Sequence, residues 1–204
     1  MARRRIDGRT GRGFRRRPFE VREQRPRFII VCEGTKTEHR YFAGFRANIQ
    51  VESVGRGALE VVVTAIRLRD EGDYRDPLLD RVWCVFDRDD VPAEDFNRAI
   101  RLARNEGLGA AYSNQAFELW YLLHFHYVDT GISRHEYVTK LSQLLRHPYR
   151  KNSADIGREL ESRQPTAIAN ARRLLAQYDP PNPAMDNPST AVHLLVEELN
   201  RSLV

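Results

Sequence analysis

Glu33 ends the apolar run RFIIVC (27–32) and is followed at once by Gly34; Asp87, Asp89 and Asp90 end a second such run, RVWCVF (81–86). Carboxylates delivered to one sheet edge by two strand ends make an oxygen-rich site for a hard divalent cation. Mg²⁺ in particular is usually held by a few carboxylates, with waters and phosphate oxygens in the other positions. Side chains two apart on an extended backbone point the same way, so Asp87 and Asp89 can face one ion, with Glu33 across from them. A cation held there activates water and stabilises the leaving oxygen of a phosphodiester. Capping of the next helix is the competing explanation for these acids, and it suits Asp90 best.

The elements that must position these groups follow from pattern and punctuation. β-Branched and aromatic residues fill 27–32 and Gly34 stops the run, so it reads as a strand. Thr35 opens a helix to Ala47, with Glu38 three residues on as a capping-box partner and Tyr41, Phe42 and Phe45 at core spacing. Ile49 to Val54 reads as a second strand, Leu59 to Arg69 as an amphipathic helix, and Asp80 to Phe86 as a third strand. Pro92 at the first helical position, with Glu94 and Asp95 behind it, begins a helix to about Glu106, and Gly109 to Tyr112 makes a short fourth strand. This alternation predicts right-handed βαβ units and a mostly parallel four-stranded sheet flanked by helices, with ligands at the carboxyl ends of its strands. After Ser113 it gives way to helices at 114–127, 133–146, 153–162, 165–178 and 190–203, with a proline-rich connector at 180–188. The expected organisation is a disordered arm at 1–26, an α/β core at 27–127 and an all-α extension at 128–204.

Composition narrows the function. The arm and Arg27 together hold eleven arginines against Asp7, Glu20 and Glu23, so the remaining residues carry −3 of the +5 total. A mildly acidic body behind a basic, glycine-containing arm predicts a polyanionic partner, with Arg3, Arg4, Arg5, Arg15, Arg16 and Arg17 making salt-sensitive, sequence-independent phosphate contacts. No run approaches ~18 apolar residues, so no membrane span is predicted. The start lacks the apolar segment of a signal peptide, and Cys32 and Cys84 read as a reduced core pair, which together predict a cytoplasmic protein. There is no P-loop, no nucleophile elbow and no zinc spacing.

The stretch NQAFELWYLLHF (114–125) is too apolar for a surface helix, and a glutamate buried in it is costly unless paired or metal-bound. Glu118 is therefore a candidate fourth ligand or water-orienting base, with pairing to a core arginine as the alternative. Ser113 and Asn114 suit the cap of that helix. His124 and His126 point to different helix faces and read as core or surface histidines.

Four segments, VCEGTKTEHRYF, VWCVFDRDD, AYSNQAFELWYLLHF and NPSTAVHLLVEEL, resemble the RloB-like family of bacterial phage-defence proteins, over residues 28–199. The glutamate–glycine after the first strand and the DxD after a later one are similar to the Toprim fold of topoisomerases, primases and nucleases. The resemblance implies a Toprim core, a Mg²⁺- or Mn²⁺-dependent nuclease and a role in abortive infection, often beside an RloA-like ATPase partner. It sets Glu33, Asp87 and Asp89 at the metal-binding positions. It also implies a downstream lysine that neutralises the transition-state phosphate. Among just three lysines against thirty arginines, Lys151 in the loop HPYRKN suits that role, with Arg88 and Arg150 as alternative phosphate clamps. Arg88 within the DxD and the arginine-rich arm depart from the pattern. The catalytic set expected is Glu33, Asp87, Asp89, Glu118 and Lys151. The alternative is a non-catalytic module binding nucleic acid or the ATPase; DNA, RNA, small nucleotides and the oligomeric state all stay open.

Overall fold

The structure, a computed structural model, describes residues 25–72, 76, 78–89, 91–153 and 155–203. Its elements run β1 (Arg27–Cys32), α1 (Thr37–Ala43), β2 (Asn48–Ser53), α2 (Ala58–Glu71), β3 (Asp80–Asp87), α3 (Ala93–Asn105) and β4 (Gly109–Asn114). There follow α4 (Glu118–Leu123), α5 (Arg134–Leu145), α6 (Ile156–Leu160), a 3₁₀ turn at Glu161–Arg163, α7 (Gln164–Leu175), β5 (Ser189–Thr190) and α8 (Val192–Arg201). Among the described residues the sheet has five strands in the order β2-β1-β3-β4-β5. β1 to β4 are parallel, with β1 paired to both β2 and β3, and β5 joins β4 antiparallel.

The fifth strand revises the expected sheet of four and an all-α C-terminal part. Ser189 and Thr190 directly follow Pro188, the last of four prolines in the connector, and are too short for a strand pattern. They pair with Asn114 and Ser113, and the Ser113 and Thr190 hydroxyls meet at 3.1 Å. That pairing extends β4 through Asn114, two residues beyond expectation, and delays the next helix to Glu118. Ser113 and Asn114 therefore cap nothing. The Asn114 amide instead donates to the Pro183 and Ala184 carbonyls and pins the proline-rich connector.

Both faces of the sheet are covered, as the continuous apolar strands require. Alternate β1 residues divide between two cores. Phe28, Ile30 and Cys32 face α1 and the C-terminal helices, while Ile29 and Val31 face α2 and α3. The first core runs unbroken from the sheet through Phe117–Leu123 to Tyr137, Leu141, Leu160, Leu174 and Leu195. The region 128–204 thus shares the core of 27–127. Cys32 and Cys84 are free and buried, and no described helix is long and apolar enough to cross a membrane.

His124 is a core histidine: its Nδ1 lies 2.9 Å from the Trp120 carbonyl and burial lowers its pKa to about 4, while His126 is exposed. Because sheet and C-terminal helices share one core, urea unfolding followed by circular dichroism is expected to show a single transition. Trp120 is fully buried at the centre of that core, and Trp120→Ala is expected to cost about 3–5 kcal/mol. Two transitions in the parent chain would contradict the shared core.

Candidate functional site

A cleft of about 360 Å³ opens at the carboxyl ends of β1 and β3, lined by Glu33–Glu38, Asp87, Asp89, Phe117, Glu118, Arg134 and Lys151. All five residues expected to be catalytic meet there, drawn from β1, β3, α4 and the loop after α5. The backbone fixes the first two. Glu33 is held on both sides of β1, its amide donating to Val85 at 2.8 Å and its carbonyl accepting from Gly55 at 2.9 Å. The Asp87 amide donates to Glu33 Oε2 at 3.3 Å, and Asp87 Oδ2 accepts from the Phe117 amide at 3.1 Å. The two strand ends and the entry to α4 are therefore tied through the acids themselves.

Glu38 is the residue that sequence reasoning misassigned. Helix α1 begins at Thr37 with no side-chain cap, so the expected Thr35–Glu38 capping box does not form. The Glu38 carboxylate folds back over Gly34 instead: a β-carbon at Gly34 would lie 2.1 Å from Glu38 Oε2. Glycine is required here to let the carboxylate approach the backbone. The signal available in the sequence was Gly34 four residues before an acid in the first turn of a helix, which suits either a cap or a ligand.

Glu118 is buried, as predicted, but no core arginine meets it. Its Oε1 accepts from the Tyr149 hydroxyl at 3.1 Å and lies 3.5 Å from Lys151 Nζ. Lys151 is in turn tethered through its carbonyl, which accepts from Thr37 at 3.4 Å. Asp89 reaches the cleft by a route other than the one expected. β3 ends at Asp87 and Asp89 takes φ +38°, so the two acids do not share an extended strand, and Asp89 pairs with Arg134. Arg134 escaped sequence reasoning because nothing local links it to the acids. It opens α5 as the residue after the N-cap, inside a Ser133–Glu136 capping box that sets its backbone position.

Two expected phosphate clamps lie elsewhere. The Arg88 guanidinium donates to the Ala184, Asp89 and Val91 carbonyls and covers the Phe96 ring, bracing the turn after β3 rather than lining the cleft. Arg150 is exposed beside Lys151 and does not line the cleft. Arg3, Arg4, Arg5, Arg15, Arg16, Arg17 and Asp90 lie outside the described residues, as does nearly all of the expected disordered arm at 1–26.

The acids strain one another. Burial, then the neighbouring Glu38 and Glu118 charges, push the Asp87 pKa well above the usual carboxylate range, and burial raises Glu33 and Glu38 as well. Among the described residues, no group of three His, Cys, Asp or Glu side chains is drawn tightly enough together to hold a metal ion as it stands. Glu118 and Asp89 are each engaged with a cation. A divalent ion nevertheless fits the chemistry of the donors. Asp87 Oδ1 is buried without a hydrogen-bond partner, and compensating charge is what this group of acids lacks.

A family model described as RloB-like protein matches residues 28–199. No curated protein and no solved structure gives a significant match.

The raised carboxyl groups bind protons more tightly folded than unfolded. Their contribution to metal-free stability is present at low pH and is lost as the pH rises through the raised values. Asp87→Asn, which keeps the shape and the acceptor for Phe117, is expected to stabilise the metal-free protein by about 1–3 kcal/mol at pH 8, and by less near pH 4. Thermal unfolding in EDTA and in Mn²⁺ checks this. The parent should gain stability from Mn²⁺, more at pH 8 than at pH 5, and the variant should not. Gly34→Ala is expected to displace Glu38 and cut the Mn²⁺-induced rise in melting temperature at least by half.

Proposed function

We propose that this chain, which belongs to the RloB-like family, is a Toprim-type, divalent-metal-dependent nuclease that hydrolyses nucleic-acid phosphodiesters in defence against phage. The observation that carries this reading is the cleft itself. Carboxylates from β1, α1, β3 and α4 face inward beneath the cations Arg134 and Lys151, at the edge where open parallel sheets bind ligands. The parallel order β2-β1-β3-β4, with acids closing β1 and β3, supports the Toprim assignment.

Glu33, Asp87 and Asp89 would hold Mg²⁺ or Mn²⁺, and Glu38, which the fold adds, would contribute a fourth carboxylate. A bound ion would supply Lewis acidity toward a phosphate oxygen and a water of lowered pKa. The protein groups have distinct work. Glu33, whose pKa burial raises, can exchange a proton with the attacking water or leaving oxygen. Glu118, fixed through Oε1 by Tyr149 and Lys151, orients water through its other oxygen. Lys151 supplies a compact positive charge to the phosphate as negative charge builds on it.

A function in abortive infection, with an RloA-like ATPase and the arginine-rich arm recruiting nucleic acid, extends this reading from the family. A hard cation, buried acids and basic groups at the rim suit a polyanionic substrate better than a purely structural ion. Plasmid DNA and total RNA incubated with Mn²⁺, Mg²⁺ or EDTA test it. Cleavage should require the metal and fall at least 10²-fold in Asp87→Ala, with the circular dichroism spectrum intact. Undiminished cleavage by that variant would sink the reading.

A further inference from the structure

The cleft is layered by charge. Two of its acids lie deep, Glu38 at 5% exposed and the Glu118 side chain at 4%, while Glu33, Asp87 and Asp89 are half-buried. Its cations lie at the mouth, with the Arg134 side chain 47% exposed and that of Lys151 56%; Lys36, also exposed, completes the rim. Both ion pairs cross this boundary, Arg134 to Asp89 and Lys151 to Glu118. An anionic group entering the cleft meets three cations before it meets any buried carboxylate.

On the premise that the cleft handles phosphodiesters, we propose that Arg134 is the residue that grips the substrate's phosphate, exchanging its present carboxylate partner, Asp89, for two non-bridging phosphate oxygens. The guanidinium fork matches a phosphate as it matches a carboxylate, so the same side-chain geometry serves both partners. Asp89 is well placed to release it. It sits in a turn with φ +38°, outside the strand, and is 29% exposed where Glu118 is nearly sealed. Arg134 itself is anchored at the backbone rather than by its side chain. Ser133 caps α5, with its hydroxyl accepting from the Glu136 amide and the Glu136 carboxylate accepting from the Ser133 amide. The base of the side chain is therefore fixed while its head can change partners. Lys151, tethered through Thr37, acts from the other wall as a point charge. Arg134 thus decides where the phosphate lies, and Lys151 answers the charge that develops on it.

The test uses the full chain and a fluorescein-labelled dinucleotide with one internucleotide phosphate, in Ca²⁺ to hold off turnover. Any contribution of the arm is common to all variants, so differences between them report the cleft. Fluorescence anisotropy over a range of NaCl concentrations is expected to show Arg134→Ala binding about tenfold or more weakly, with the slope of log K against log salt reduced by about 0.7. Arg134→Lys should keep the parent slope and recover only part of the affinity. A parent chain that does not bind, an Arg134→Ala variant that binds equally well, or a weakening with unchanged slope in both variants would overturn the proposal; the last would make Arg134 a brace for Asp89. Cleavage assayed in parallel separates the two readings. The expected binding pattern without any cleavage upholds Arg134 and removes the nuclease.

Discussion

Buried like charge is the constraint on which the rest of this structure turns. Asp87 is wedged among Glu33, Glu38 and Glu118, and each raises the cost of ionising it. In water such repulsion would be screened; beneath the α4 segment, in a less polarisable setting, it is not. The chain answers it with local donors. The Phe117 amide bonds Asp87, the Asp87 amide bonds Glu33, and Tyr149 with Lys151 meets Glu118. What these donors leave uncompensated is the buried Asp87 oxygen without a partner, the atom on which the proposed metal site rests. Such an arrangement gives up stability, as is common at functional sites.

Much of the site was legible because strands that end on acids advertise themselves. Glu33 and Asp87 lie where an apolar run meets a glycine or a charge cluster, and parallel pairing of β1 with β3 makes the two ends adjacent. Glu118 was legible as an acid in a segment too apolar to be exposed, and Lys151 as a rare lysine in an arginine-rich chain. Asp89 was found through a premise that fails, since its backbone leaves the strand before reaching it. Glu38 was hidden by an ambiguity of chemistry, because an acid in the first turn of a helix looks the same whether it caps or coordinates. Arg134 and Tyr149 carried no local signal at all. Only tertiary packing brings α5 and the loop after it over the strand ends, and sequence separation conceals such contacts.

The same limit explains the sheet. Four parallel strands announced themselves through hydrophobic runs between helices, but β5 is two polar residues whose strand identity is conferred by β4. Its hydroxyl contact with Ser113 and the clasp of Asn114 on the connector join the end of the chain to the strand next to β3. The boundary expected at 127 is therefore a change in secondary-structure type, with one core running across it.

The division of the cleft between two stretches of chain has a consequence for biosynthesis. Every carboxylate of the cleft lies at or before Glu118, whereas Arg134, Tyr149 and Lys151, and then the β5 stitch that extends β4, emerge later from the ribosome. A half-made chain carries the repelling acids without the groups that offset them. The cleft is accordingly assembled only after α5, the loop behind it and β5 have been made. If the proposed cutting of nucleic acid is right, that ordering would leave the cleft unassembled while its own message is still being read.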